Sequence, residues 1–393
     1  MHSFARLTFL FLVFLQTVFG VSQSFVPGVS VFDSTGYVEY IPGNLPVVIS
    51  VPHGGYLTPA NIPDRNCSGC VYVRDAYTQE LAREIRDAFY QKTGCYPHMI
   101  INLLHRKKFD ANRDIGDAAD GNPIVESCWY AYHAFIDSAK AKIVQDYSRG
   151  LFIDLHGHGH SIQRLELGYL IYGSTLRGTD STLNMASVVG RSSIRALIVH
   201  NLNLLNHAEL IRGPNSFGGM IERKGFDAVP SDSIPYPLSG EYYFSGGYNT
   251  QRHGASMGGK IDGIQIECNR DIRYDTVIRK AFADTLRAVI NAFINYHYFS
   301  NFQGNYCNII SNIPANSNTT RMRVFPNPAQ DILYIQSEFQ TLEIIIYNSL
   351  GQSVKHLKLH GNTISTGDLS KGYYIIFIKH NNQIILKQKL IIM

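Results

Sequence analysis

The sequence predicts an α/β protein built on a layered sheet, followed by a small all-β sandwich. Three observations predict it. Short apolar runs ending in glycine or histidine alternate with helically periodic stretches as far as about residue 305. The notable polar residues stand just after those runs, where open α/β sheets place their sites. Beyond Cys307 the chain turns polar, and then carries only short strand patterns separated by Asn, Gly and Asp turns.

Taken in order, Val47–Val51 is a strand stopped by Pro52-His53-Gly54-Gly55. Asp75–Gln91 puts Leu81, Ile85 and Phe89 at helical spacing, with Asp75 placed to cap the helix. His98–Leu104 reads as a strand and Trp129–Val144 as a helix with Tyr132, Phe135 and Ile136 on one side. Leu151–Leu155 is a buried-type strand ending at His156, and Tyr169–Tyr172 and Ile261–Glu267 read as two more. Asp275–Tyr298 carries Ile278, Phe282, Leu286, Val289 and Phe293 on one face of a long helix. Residues 309–320 form a polar linker by composition. In 321–393 the expected strands are Ile332–Gln336, Glu343–Asn348, Gln352–Leu359, Gly372–His380 and Ile384–Ile392.

Composition narrows the function. A hydrophobic share of 45% with only 17% charged residues excludes disorder, and a net charge of +4 makes no case for nucleic acid. Residues 1–22 read as a secretory signal peptide: one cation in Met1–Arg6, an apolar run Leu7–Gly20, then small residues at Gly20 and Ser22. The run is shorter than the ~18–20 residues of a spanning helix. The expectation is an exported, soluble mature chain, residues 23–308 forming its main domain, with no membrane span. Export permits disulfides among the 6 cysteines, and Cys67-Ser68-Gly69-Cys70 suits a loop disulfide.

Three clusters can carry chemistry. His53 follows one strand, and Asp154-Leu155-His156-Gly157-His158-Gly159-His160 follows another. Alternating histidines between glycines suit a ligand-lined rim, and catalytic zinc takes three protein ligands plus an open position; a solvated turn is the alternative. Asp75 is the candidate carboxylate ligand, with Asp64 and His158 in reserve. His105–Arg113 contains Arg106, Asn112 and Arg113, which suit a carboxylate clamp and a cation facing an oxyanion, or simply a basic loop. Glu267 ends an otherwise apolar strand, which is costly unless the carboxylate is paired with Arg270 or used as a base. The glycine-rich run Phe244–Gly254 reads as a loop, either covering a substrate with Tyr248 or Arg252 reaching in, or lying plain on the surface.

Ser50-Val51-Pro52-His53-Gly54-Gly55, Arg74-Asp75-Ala76-Tyr77-Thr78, Asn102–Arg106, Asp110–Arg113, Trp129–His133, Ile153–His158 and Gly263–Glu267, in that order, resemble the N-formylglutamate amidohydrolase family. The resemblance implies a three-layer mixed sheet with helices on both faces, of the zinc-carboxypeptidase kind. It implies Zn2+ held by His53 and His156, Glu267 as base, Arg106 polarising a carbonyl, and Asn112 and Arg113 holding a substrate carboxylate. Where carboxypeptidases carry a glutamate three residues after the first histidine, this chain has Tyr56, so Asp75 is assigned instead. The implied activity is hydrolysis of a C–N amide in a small N-acyl amino acid or short peptide. A carboxypeptidase-like peptidase or cell-wall amidase is the alternative, and a non-enzymatic surface binding protein the rival from another class.

The tail has its own resemblance. Val324-Phe325-Pro326-Asn327-Pro328, Ile346–Gly351, Asp368–Tyr374 and the basic, apolar Lys387–Met393 resemble the C-terminal sorting domain of the type IX secretion system of Bacteroidetes. That implies the type IX machinery as partner and a secreted or cell-surface location.

Overall fold

A computed structural model describes residues 25–300 and, in the tail, 323–337, 339, 341–348, 352–380 and 383–393. The expected signal peptide and linker lie outside the described residues. The main sheet has eight strands: β1 (Val31–Phe32), β2 (Val38–Ile41), β3 (Val47–Val51), β4 (His98–Asn102), β5 (Gly150–Gly157), β6 (Leu165–Gly168), β7 (Ala228–Val229) and β8 (Ile261–Cys268). Their order is β1-β2-β4-β3-β5-β8-β6-β7. β4, β3, β5 and β8 run parallel, while β2 and β6 are antiparallel to their neighbours β4 and β8. The sheet is mixed, as expected.

Alternation along the strands divides the core into two layers. Val47, Ile49, Val51, Leu151, Ile153, Leu155, Ile264 and Ile266 pack with Leu81, Ile85 and Phe89 of the helix Thr78–Thr93 and with Phe282, Leu286 and Phe293 of the helix Thr276–His297. Val48, Ile100 and Phe152 point the other way, onto Trp129, Tyr132, Ile136 and Ile143 of the helix Pro123–Tyr147. Each large apolar side chain so buried contributes roughly 1.5–3 kcal/mol. Helices therefore cover both faces. Asp275 caps the long C-terminal helix by accepting from the Val277 and Ile278 N–H groups. Asp75 does not cap the helix Thr78–Thr93, which begins after Tyr77 in a left-handed conformation (φ 68°). Its carboxylate is used elsewhere.

One strand is displaced from its expected place. Tyr169–Tyr172 is not strand; β6 lies just before it and includes Glu166. An apolar run hides that choice, because Glu166 is buried yet satisfied by His160 and by the Phe244 N–H. Among the cysteines, Cys67 and Cys70 are joined as expected, Cys95 is disulfide-bonded, and Cys128 and Cys268 are buried free thiols.

Near the start of β8, Asp262 is fully buried, accepting from the Leu197 N–H (2.9 Å) and the Tyr298 hydroxyl (3.0 Å). Burial pushes its pKa up to about 7, against the pull of those hydrogen bonds. A carboxyl raised in the folded state favours folding below its unfolded pKa and loses that contribution as pH rises through about 7. Asp262→Asn should therefore gain stability relative to the native chain as pH goes from 5 to 8, by roughly 3 kcal/mol at most. Thermal melts of both proteins across that range check it; parallel pH curves would refute it.

In the tail, β9 (Arg323–Phe325), β10 (Ile332–Gln336) and β13 (Thr363–Ser365) form one antiparallel sheet, and β11 (Leu342–Asn348), β12 (Ser353–Leu359), β14 (Gly372–His380) and β15 (Gln383–Ile392) another. Leu333, Ile335 and Ile364 of the first share a core with Ile344, Ile346, Ile376, Ile378 and Leu390 of the second. This is the expected sandwich.

Candidate metal centre and active site

The face of the sheet that carries Val48 and Phe152 changes character toward the strand ends. Period-two alternation puts Ser50 of β3, Asp154 and His156 of β5, and Gln265 and Glu267 of β8 on that same face. Register sets His156 of β5 opposite Glu267 of β8, and Glu267 opposite Glu166 of β6, so the three stand abreast on adjacent strands. His53 arrives from the turn after β3, and Asp75 from the segment before the helix Thr78–Thr93.

His53, Asp75 and His156 are buried and converge. The two Nδ1 atoms are 3.1 Å apart, and each is 3.3 Å from Asp75 Oδ2. The opposite ring nitrogens are both taken: His53 Nε2 by Asp110 Oδ1 at 2.6 Å, His156 Nε2 by Asp154 Oδ2 at 2.7 Å. A carboxylate can only accept from an imidazole N–H, so Asp110 and Asp154 hold both rings with Nδ1 turned to Asp75. Carboxylate-backed histidines of this kind are how proteins orient metal ligands. At 3.1–3.3 Å these three atoms are close enough to share one centre of positive charge, either a proton held between ring and carboxylate or a cation.

The surroundings supply the matching field. Burial alone would lower the His156 pKa, yet the charge and hydrogen bond of Asp154, joined by Asp75, push it well above the ordinary histidine value. Burial alone would raise the Asp110 pKa, yet His53, Arg106 and Arg113 hold it well below the carboxylate range. Asp154 is lowered in the same way by His156, Ser50 and Asn249 against its burial. The carboxylates around the two histidines favour positive charge there, and the donors are of a composition that could hold a metal ion.

Glu267 behaves differently. Burial raises its pKa to about 8, with Asp75 and Glu166 pushing the same way and His156 and Arg106 opposing. Its Oε1 accepts from Gln265 Nε2 at 3.0 Å, while Gln265 Oε1 accepts from the Gly247 N–H at 2.7 Å. It is thus a positioned carboxyl that can hold or release a proton near neutrality.

Arg106 bridges the carboxylates, with Nε donating to Asp110 Oδ2 (3.0 Å) and NH1 3.6 Å from Asp75 Oδ1. Asn112 and Arg113 are close by but turned inward. The Asn112 N–H donates to Asp110, its Oδ1 accepts from the Asn249 N–H at 2.7 Å, and Arg113 NH1 donates to the Asn112 carbonyl. Asp64 is half-exposed and pairs with Lys107 and Lys108, apart from the cluster. His158 bonds the Arg164 carbonyl through Nε2 and belongs to a separate group with His160 and Glu166. Tyr248–His253 is a short helix rather than a loop, and there the Arg252 guanidinium lies 5.1 Å over the Trp129 ring and donates to the Tyr248 hydroxyl.

A cleft of about 390 Å³ opens beside the cluster, with Asp75, Arg106, His158 and His160 in its wall together with Arg74, Arg270 and Arg273. Arg273 is the structural member: it donates to the carbonyls of Cys268, Ala76 and His158, tying the ends of β5 and β8 together. Its Nε lies 2.3 Å from where a Cβ of residue 157 would sit, so only glycine fits between the two histidines. Sequence reasoning named the histidines, Asp75 and Glu267 but missed Asp110 and Asp154 as the groups that orient them.

Residues 323–393 match the family model of the secretion system C-terminal sorting domain. The chain carries this sorting domain. The sorting domain marks it for type IX export to the cell surface or beyond, and no helix among the described residues is long and apolar enough to cross a membrane. No curated protein matches the chain. Among solved structures it is similar to an N-formylglutamate amidohydrolase from Ralstonia eutropha JMP134, at 14% identity and TM-score 0.37, covering 64% of this chain and 95% of that one. A gene product of Agrobacterium tumefaciens aligns at 12% identity and TM-score 0.39, over 66% of this chain and 95% of that one. A candidate metallopeptidase from Shewanella amazonensis SB2B aligns at 11% and 0.28, over 66% and 80%. Deleting residues 321–393 should leave turnover unchanged while stopping secretion from the native host. Turnover of the purified truncated chain and its distribution between cells and medium check this, and lost turnover in a folded truncation would tie the sorting domain to catalysis.

Proposed function

We propose that this chain is an exported, zinc-dependent hydrolase of a C–N amide bond in an N-acyl amino acid or short peptide. The observation that carries the reading is the convergence of His53 Nδ1, His156 Nδ1 and Asp75 Oδ2 with the Glu267 carboxylate abreast of His156. Two nitrogens and one oxygen are a catalytic zinc donor set, and a zinc ion there would supply Lewis acidity and a water of lowered pKa.

The chain's own groups supply the rest. Glu267 accepts the proton of the attacking water and returns it to the departing amine nitrogen; its raised pKa suits both transfers. Arg106, held by Asp110 at the edge of the cleft, presents its guanidinium to the carbonyl oxygen as negative charge develops. Arg74 and Arg270 add positive charge to the cleft wall, which favours a substrate bearing a free carboxylate. Asn112 and Arg113 support Asp110 from behind, and in this reading the cleft arginines take over the carboxylate recognition expected of that pair.

The test is elemental analysis of the purified chain together with a screen of N-acyl amino acids, short peptides and their amidated counterparts. Zinc-dependent release of the free amine, faster with a free carboxylate than with an amide, is expected. Full activity in protein stripped of metal would overturn the zinc reading, and equal turnover of free and amidated substrates would favour cleavage within longer chains.

A further inference from the structure

The segment that carries Asp75 to the metal cluster has no helix or strand between Asn66 and Asp75, so its path is set by a few clamps. At its ends, the Asn66 N–H donates to Asp120 Oδ2 at 2.7 Å and the Asp75 N–H to the His53 carbonyl at 3.0 Å. Between them, Arg65 NH2 donates to the Val71 carbonyl at 2.8 Å and Arg106 NH1 to the Val73 carbonyl at 3.5 Å. The Cys67–Cys70 disulfide closes the turn from which the rest departs. Val71, Val73 and Arg74 follow directly and line the cleft.

This disulfide is open to exchange. Ser68 and Gly69 at its tip are exposed and both cysteines are half-buried, whereas Cys95, also disulfide-bonded, is fully buried. Arg65 is 4% exposed, its guanidinium fixed by the Arg106 carbonyl (2.9 Å from NH2) and the Asp117 carbonyl (2.8 Å from NH1). That fork places NH1 3.2 Å from Cys70 Sγ and 3.7 Å from Cys67 Sγ. A disulfide sulfur leaves as a thiolate, and it leaves faster where a cation stabilises the charge. The nearer guanidinium selects Cys70 as the leaving group and Cys67 as the sulfur attacked.

We propose that Cys67–Cys70 is a redox-modification site whose opening by an external dithiol loosens the cleft wall. One thiolate of the dithiol attacks Cys67 Sγ, the S–S bond breaks, and Cys70 departs as a thiolate against Arg65. The second thiolate of the reductant then attacks its own sulfur in the mixed disulfide and releases Cys67, whose thiolate takes a proton from solvent. Two electrons have passed: the dithiol ends as a disulfide, and the cysteines end reduced. Opening frees the turn, so Val71, Val73 and Arg74 lose their fixed place. Asp75 keeps its own bonds to the His53 carbonyl and the Gly157 N–H, so the metal donors stay. The oxidised chain is the competent form, which suits a protein sorted for export. The effect on the cleft rests on the hydrolase reading; the exchange itself does not.

The experiment treats the full chain with dithiothreitol in the absence of denaturant and maps the alkylated cysteines by mass spectrometry. Metal content, KM, kcat and the rate of tryptic cleavage after Arg74 are measured on the same samples. Cys67→Ser/Cys70→Ser serves as an open form made without any reductant. Cys67–Cys70 should open before the Cys95 disulfide, with the metal retained. KM should rise roughly tenfold with kcat held within about twofold, in the reduced chain and the double variant alike. Cleavage after Arg74 should quicken in both, and reoxidation should reverse every change in the native chain. With glutathione and rapid alkylation, the mixed disulfide should form on Cys67; one formed on Cys70 would overturn the assigned exchange. A Cys67–Cys70 bond that survives while the Cys95 disulfide opens would overturn the proposal. So would an open chain whose KM and cleavage match those of the oxidised one. Faster cleavage after Arg74 with no turnover of any substrate in either state would support the redox site and count against the hydrolase reading.

Discussion

Glu267→Gln should lower kcat by roughly 10²–10⁴-fold while leaving the metal in place. Glutamine matches the carboxylate in size and keeps an oxygen to accept the Gln265 hydrogen bond, so the pocket need not move. What disappears is the capacity to take a proton from water and deliver it to the amine. The native rate should rise with pH as Glu267 ionises, and a cation beside it moves that limb below the value of about 8 that burial sets. In the variant that limb should be flat. The checks are kcat and kcat/KM against pH, with metal content measured on the same samples. Near-native turnover, or loss of the metal along with turnover, would take the proton-transfer role away from Glu267.

Glu267 stood out in the sequence as a candidate because a single acid at the end of an apolar strand has few structural explanations. The same logic exposed His156, whose strand is apolar up to Asp154. Alternation would also have given more than was taken from it: Ser50, Asp154, His156, Gln265 and Glu267 share one face by parity alone. Asp154 was legible as a neighbour of His156, but its bond to the ring depends on the rotamer, which no sequence pattern encodes. Asp110 was out of reach for a different reason. It lies 57 residues from His53, and only the parallel pairing of β3 with β4 brings its loop alongside the turn after β3.

Glu166 shows the opposite failure. The strand was placed at Tyr169–Tyr172 instead of Leu165–Gly168, where the buried Glu166 carboxylate is satisfied by His160 and the Phe244 N–H. Phe244–Gly254 was read as a loop because its glycines break every periodicity, and Tyr248–His253 within it is a short helix. In the fold it is laced to Glu166, Gln265 and Asn112 through backbone N–H groups, contacts to which side-chain patterning is blind.

His156→Ala and Asp154→Asn should separate a ligand from the group that orients it. His156→Ala removes one of three donors and leaves the buried Asp154 carboxylate with only Ser50 and Asn249, so both the metal and detectable turnover should be lost. Asp154→Asn keeps the His156 ring but replaces an accepting oxygen by an amide that accepts more weakly and can turn its NH2 toward the ring. The imidazole then loses its fixed tautomer and part of its basicity, and such changes weaken metal binding by roughly 10–100-fold. That corresponds to about 1.4–2.7 kcal/mol. At limiting zinc the variant should be nearly inactive, and excess zinc should restore most of its turnover, whereas no zinc concentration should rescue His156→Ala. Zinc affinities from competition with a chelator, paired with turnover across zinc concentrations, measure both effects. An Asp154→Asn variant that binds zinc as tightly as the native chain would show that Asp154 does not orient the ligand. Rescue of His156→Ala by excess zinc would remove His156 from the ligand set.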